Sequence, residues 1–325
     1  MLSILIILLI SIFLSSISAI LIHKFGFRIG LLDIPNERSS HTIPIPQSGG
    51  IGIWLAFILV GILFTKYQIF TIVAGIVGLI GLFEDRFTLS TKIRLLLQLI
   101  VSIVIVGMFL GLPQSTTAII LFLFWIIFVI GTTNFYNFMD GINGIAGLTG
   151  FLGFGFIAIF SFFIAKEQDI ALMCIVISMA CLGFLPFNFP KAKVFMGDIG
   201  SLFLGLVFAS FVVKLSTTIS AFLCIIMFSC MFYADTIVTI FYRWQRGENI
   251  VKAHRKHLYQ YMSNELSLPH WKVSLVYALT QFVFGLLALL AYREGLVWQF
   301  VVFGVFGISF LVTYKVIKNA KLKLA

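Results

Sequence analysis

A few short stretches of this chain hold the polar side chains whose types and spacing could do chemistry. FMGDIGS sets Asp198 between two glycines where a helix begins. An acid there is favoured by the helix dipole without any further role. The small neighbours also leave room for a metal ion and phosphates beside the carboxylate. NFYNFMDGING spaces Asn134, Asn137, Asp140 and Asn143 three apart, which on a helix aligns them along one drifting stripe. Burying so many polar groups is costly unless a polar ligand meets them, the alternative being amide contacts between packed helices. Glu84 and Asp85 are adjacent at a helix end. Neighbouring carboxylates repel, so they imply a cation, a positive partner or full solvation.

Two further stretches supply cations. RWQRGENIVKAHRKHLYQYM gathers Arg243, Arg246, His254, Arg255, Lys256 and His257. His254 and His257, three apart, share a face if the segment is helical. A zinc site would want further ligands, and no loop carries a cysteine. Clustered cations suit phosphate, either on a substrate or on a lipid headgroup. LLDIPNERSSHTIPIPQSGG contains Pro35, Pro44 and Pro46, which forbid a continuous helix and hold the backbone extended. Arg38 and His41 project from it toward an anion. Asn188, Lys191 and Lys193 lie just ahead of Asp198.

The elements that must position these groups are apolar. Of the 325 residues 61% are hydrophobic and 10% charged, with a mean hydropathy of +1.12. No soluble core needs that much apolar surface, so the solvent for most of the chain is lipid. A spanning helix takes about 20 mostly apolar residues, and such runs recur near 1–22, 49–64, 69–83, 93–111, 117–133, 145–165, 170–186, 201–214, 218–242, 271–291 and 296–315. No window alternates at period two as a barrel strand would. The expected fold is all-α, one domain over 1–325: a polytopic bundle of about eleven transmembrane helices, the first retained as a helix rather than cleaved as a signal. Cys174, Cys181, Cys224 and Cys230 sit inside spans and read as small core residues.

Basic residues orient the bundle. With the N-terminus outside, only Lys66, Lys166, Lys214 and Arg293 of the 22 lysines and arginines fall on the outer side. All five histidines and most acids fall inside. The chemistry is therefore expected on the cytoplasmic face. A secondary transporter, the rival class, places its ionisable groups near the midplane, often in repeated halves; here they sit at one boundary and no repeat is evident. A binding-only scaffold leaves the Asn/Asp stripe without a purpose.

From Asp33 to about Gln260, these motifs and their order resemble the polyprenyl-phosphate N-acetylhexosamine-1-phosphate transferase family, which includes the phospho-MurNAc-pentapeptide translocase. NFMDGINGIAG and FMGDIGSLFLG carry most of the resemblance. It implies a cytoplasmic active-site cavity in a bacterial inner membrane, a polyprenyl-phosphate acceptor, a UDP-amino-sugar donor and Mg2+, with Mn2+ as a substitute. It also allows a homodimer; no nucleic-acid partner is expected. The reaction implied starts O-antigen or another cell-surface glycan, and peptidoglycan synthesis is the alternative. Two features depart from the family: Glu84-Asp85 stands where two aspartates are usual, and AHRKHLYQ replaces a tighter histidine cluster. The second wording resembles a branch acting on deoxy amino sugars such as N-acetylfucosamine or N-acetylquinovosamine.

By the same resemblance, Asp198 ligates Mg2+, and Glu84, Asp85 and Asp140 join it as the catalytic acids. Asn137 and Asn143 would line the donor site, with His254, Arg255 and His257 on the pyrophosphate. Arg38, His41, Asn188, Lys193 and Arg243 complete the expected substrate contacts. Asp85 is open to two roles, base toward the lipid phosphate or member of a charge cluster serving a cation. Direct attack by the lipid phosphate is expected over a covalent phospho-enzyme.

Overall fold

The structure, a computed structural model, describes residues 2–35, 39–87, 89–249 and 254–320. Each apolar run becomes a helix. In chain order these are α1 (Leu2–Ile29), α2 (Ile51–Phe64), α3 (Gln68–Phe87), α4 (Thr91–Leu110), α5 (Thr116–Phe138), α6 (Ile145–Ala165), α7 (Gln168–Asn188), α8 (Gly197–Leu215) and α9 (Ile219–Gln245). A short α10 (Leu258–Gln260) runs into a π-turn, followed by α11 (His270–Glu294) and α12 (Leu296–Ala320). Ten of them are long and apolar enough to cross a membrane, and α2, with 14 residues, is shorter. The protein is a polytopic helical membrane bundle.

Hydrogen-bonding side chains end the helices where the sequence allows it. Ser90, Ser115 and Thr218 cap α4, α5 and α9 by accepting the N–H three residues on. The last turn of α6 widens to a π-helix over Phe160–Ala165, and a single 3-10 turn at Met227–Ser229 interrupts α9.

α8 is the axis of the bundle. From Ile199 to Val213 its residues are buried, and α3 and α5 pack along it. A helix apolar all round is at home only in such a position or facing lipid. α1 and α12 are the converse case, with most of their large side chains, such as Phe13, Val297 and Ile308, exposed toward the bilayer. Close approach of α3 to α8 depends on Gly81, whose missing Cβ would overlap the Asp198 carbonyl.

One end of the bundle carries the connections 30–50, 139–144, 189–196 and 246–269. The first holds a two-residue antiparallel ladder pairing Leu32 with Pro46 and Asp33 with Ile45, so the extended backbone foreseen from the prolines is a small hairpin base. At the opposite end short turns are tied by Glu167, which ion-pairs with Lys66 and Lys214 and accepts the Tyr67 hydroxyl.

Candidate active site

The first turn of α8 organises the loop-rich end. Gly197 sits at φ +75°, in the left-handed region, and a Cβ there would strike the Asp85 carboxylate. That carboxylate, at the end of α3, caps α8. Its Oδ1 accepts the Asp198 N–H at 2.8 Å, and its Oδ2 accepts the Ser48 hydroxyl at 2.6 Å and the Ile199 N–H at 3.4 Å. Gln47 donates to the Asp85 carbonyl at 2.9 Å. Both oxygens of Asp85 are thus engaged by the protein itself.

The Asp198 side chain points elsewhere. Its Oδ1 accepts the Asn137 amide at 2.7 Å, and the same amide reaches Ser201 Oγ at 2.9 Å. Its Oδ2 lies 4.0 Å from Arg94 Nη1, which donates to Glu84 Oε1 at 2.7 Å. Glu84 and Arg94 are each 15% exposed. The adjacent acids therefore have different work: Glu84 faces a guanidinium, Asp85 a helix N-terminus, and full solvation is excluded for both. Arg94 was legible in the sequence only as an orienting charge.

Asp198, Asn137 and Ser201 form one wall of a cavity of about 230 Å3 whose other walls are Asp33, His41, Gln47, Asp140 and Gln260. His41 Nε2 is 3.8 Å from Asp33 Oδ2, and its ring meets Phe195 edge-on. Burial raises the Asp33 carboxyl above its ordinary range; His41 opposes the shift and Asp198 adds to it. Burial pushes Asp140 well up, and the charges of Asp198, Asp85 and Asp33 push it further. Asp33, not singled out among the expected site residues, belongs to this cluster.

The stripe expected along one helix is divided. α5 ends at Phe138, so Asp140 and Asn143 lie in the following turn. Asn134 is buried, donating to Gln98 Oε1 and the Ile130 carbonyl, so its amide packs helices rather than facing the cavity. Asn143 braces the 139–144 turn, its carbonyl accepting Ser274 at 2.7 Å. Asn188 lines the cavity with both ends of its amide engaged by backbone, accepting the Gly144 N–H and donating to the Val194 carbonyl. Lys193 is exposed, its carbonyl within 3.3 Å of His23 Nδ1. Arg38 lies outside the described residues.

The RWQRGENIVKAHRKHLYQYM stretch is a strap without regular secondary structure, not a helix, over 254–256. His254 and His257 nonetheless come together, their rings 4.9 Å apart. Burial and the neighbouring His257, Arg243 and Lys256 lower the His254 pKa to about 4. His257 is buried, its Nδ1 3.5 Å from Asp235 Oδ1. Asp235 is the anchor: it accepts the Leu258 and Tyr259 N–H groups and the Tyr277 and Thr239 hydroxyls. Tyr259 then donates to the Phe138 carbonyl and delivers Gln260 to the acidic cavity. Arg243 and Arg255 line a different cavity, described below.

The acidic cavity suits a hard cation by its donors. Mg2+ is usually held by one or two carboxylates and substrate phosphates, keeping several waters. Asp33, Asp140 and Asp198 offer carboxylates, Arg94 lies 4.0 Å from Asp198, and Asn137 fixes one oxygen of that carboxylate. Among the described residues no three His, Cys, Asp or Glu side chains lie close enough together to form a metal cage.

Comparison with known proteins gives a consistent picture. The family described as glycosyl transferase family 4 matches residues 67–216. A Bacillus subtilis protein named probable undecaprenyl-phosphate N-acetylglucosaminyl 1-phosphate transferase is 28% identical over 86% of this chain and 82% of its own length. The undecaprenyl-phosphate alpha-N-acetylglucosaminyl 1-phosphate transferase of Salmonella typhi is 30% identical over 61% of this chain. The decaprenyl-phosphate N-acetylglucosaminephosphotransferase of Mycobacterium tuberculosis is 28% identical over 58% of it. The matched segments span 59% and 54% of these last two relatives.

Proposed function

Because the chain belongs to the polyprenyl-phosphate hexosamine-1-phosphate transferases of glycosyl transferase family 4, we propose that it transfers N-acetylhexosamine 1-phosphate from a UDP-sugar to polyprenyl phosphate at the cytoplasmic face of a bacterial inner membrane. The products are a polyprenyl-diphosphate-sugar, first intermediate of a cell-surface glycan such as O-antigen, and UMP. N-Acetylglucosamine is the first sugar to test, since the relatives above are named for it. The supporting observation is the convergence of Asp33, Asp140 and Asp198 on one cavity at the end of the bundle. Acids gathered at a boundary, around a central helix whose middle is apolar, favour transfer over ion-coupled transport.

In the reaction an oxygen of the lipid phosphate attacks the sugar-bearing phosphorus of the donor. The bond to the bridging oxygen breaks, and that oxygen leaves with UMP. Two like charges at 4 Å repel by roughly 4 kcal/mol at an effective dielectric of 20, so charge compensation is the first requirement. Asp198 would hold Mg2+, which would supply that compensation on the diphosphate, with Asp140 and Asp33 lining the same cavity. Asn137 keeps the Asp198 carboxylate turned into the cavity. Asp85 fixes the turn from which Asp198 projects, and Arg94 offers a further positive charge beside Asp198. His41, on the hairpin side, faces the same space.

The test is release of UMP by purified protein given polyprenyl phosphate, Mg2+ and a panel of UDP-sugars. Release that requires both the lipid and the metal supports the assignment. No release with any UDP-amino sugar would overturn it.

A further inference from the structure

The loop-rich end carries a second hollow, of about 510 Å3, that shares no lining residue with the acidic cavity. Three separate elements bring cations to it. The last turn of α9 and the residue after it supply Arg243 and Arg246, the strap supplies Arg255 and Lys256, and the last turns of α12 supply Lys315 and Lys318. Glu265 is the acid in its lining. Glu248 ion-pairs with Arg243 and Lys256 at 3.1 and 2.6 Å. Arg246 and Lys315 have no ion pair among the described residues.

The hollow is held in shape. Lys318 Nζ donates to the Lys256 carbonyl at 3.0 Å and sits 4.2 Å over the Tyr261 ring. The Tyr242 and Tyr314 rings lie 5.3 Å apart and within 1° of parallel, joining α9 to α12. Cations near helix C-termini are favoured by the dipole alone, but that does not draw two helix ends and a strap around one concavity. The apolar neighbours on the same turns, Phe241 and Trp244 of α9 and Val312 and Val316 of α12, are exposed. A ligand here meets positive charge at its head and hydrocarbon-facing side chains beside it.

We propose that this hollow binds the phosphate of an anionic membrane phospholipid. The chemistry required is a phosphate anion presented at the membrane boundary by an apolar body, and six cationic side chains around an aromatic floor match it. On this assignment the occupant is a third ligand, distinct from the donor and the acceptor in transfer. Arg255 thereby takes a role apart from the donor pyrophosphate, and Arg243 one apart from the transfer substrates.

The full chain in detergent, examined by native mass spectrometry with phosphatidylglycerol or phosphatidylcholine at equal concentration, tests this. The expected result is preferential retention of phosphatidylglycerol, lost by about tenfold in Arg246→Gln/Lys315→Gln and kept in the charge-preserving Arg246→Lys/Lys315→Arg. Circular dichroism of the lipid-free variants checks that the fold survives, and the charge-preserving pair decides the matter if the neutral one unfolds. Equal retention of the two lipids, or retention unchanged by charge removal, would overturn the proposal. So would displacement of the phospholipid by UMP or UDP, which would return the cations to the nucleotide, or by one equivalent of polyprenyl phosphate, which would make this the acceptor site. None of these outcomes depends on whether the protein releases UMP.

Discussion

The carboxylate of Asp85 accepts the backbone N–H of Asp198 at 2.8 Å, across 113 residues of chain. With Ser48 on the other oxygen, Asp85 is built as a fixed support for the start of α8. A base toward the lipid phosphate would need an oxygen free to take a proton. The lipid phosphate also has a second pKa near 6 and is mostly dianionic at neutral pH. The ratio of Asp85→Asn to wild-type kcat is therefore expected to stay flat from pH 6.5 to 8.5 at saturating Mg2+. A ratio climbing about tenfold per pH unit would restore Asp85 as a general base.

Asp198→Asn is expected to lower kcat on the order of a thousandfold or more while the protein still inserts and elutes as a folded species. The amide keeps its place beside Asn137 but no longer offers an anionic oxygen to a cation. Near-normal turnover in Mg2+ would remove Asp198 from the metal site.

Arg94 and Glu84 form a poorly exposed ion pair at 2.7 Å. Removing one partner strands the other, so Arg94→Gln is expected to cost about 2–3 kcal/mol of stability. The double variant Glu84→Gln/Arg94→Gln should recover part of that loss, because a neutral pair strands no charge. Thermal unfolding in detergent gives the cycle. Strictly additive losses would mean that the two side chains do not interact.

His254 is held near a pKa of about 4 against an ordinary 6.5. Below 6.5 the unfolded chain takes up a proton that the folded one refuses until about 4. Stability is therefore full above 6.5 and falls as pH drops through that window. His254→Gln should flatten this part of the Tm–pH curve. An acid limb identical to wild type would show that the imidazole titrates normally in the folded protein.

The distribution of basic residues predicts that Lys256 faces the cytoplasm and that Lys66 and Arg293 lie outside. The native cysteines described are all buried, so Lys66→Cys, Arg293→Cys and Lys256→Cys can be probed with an impermeant thiol reagent in sealed vesicles of known orientation. Labelling of positions 66 and 256 from the same side would break this topology.

Much of the fold was legible because lipid leaves the chain little choice. A run of about 20 apolar residues must be a helix, and every expected span has its counterpart among α1–α9, α11 and α12. The acids at helix ends were equally visible. What spacing could not show was where α5 stops or what packs against it: a three-residue period through 134–143 assumes continuous helix, but Asn134, still within α5, meets Gln98, and Asp140 lies beyond the break after Phe138, in the cavity wall. Arg94, beside Lys92 at the start of an apolar run, reads in the sequence as one of two orienting charges. The strap misled in another way. With no helix over 254–256, His257 turns to a buried contact with Asp235 while Arg255 and Lys256 line the second hollow.

α2 carries a mechanical implication. Fourteen helical residues rise about 21 Å, against a hydrocarbon core of about 30 Å, and Leu55, Leu59, Leu63 and Phe64 leave its flank open to lipid. If α2 crosses from face to face, the bilayer thins along that side to meet it, at a cost that grows with each ångström of mismatch. Acyl-chain length thus becomes a variable of this protein's energetics, with shorter-chain bilayers accommodating the α2 flank at least elastic cost.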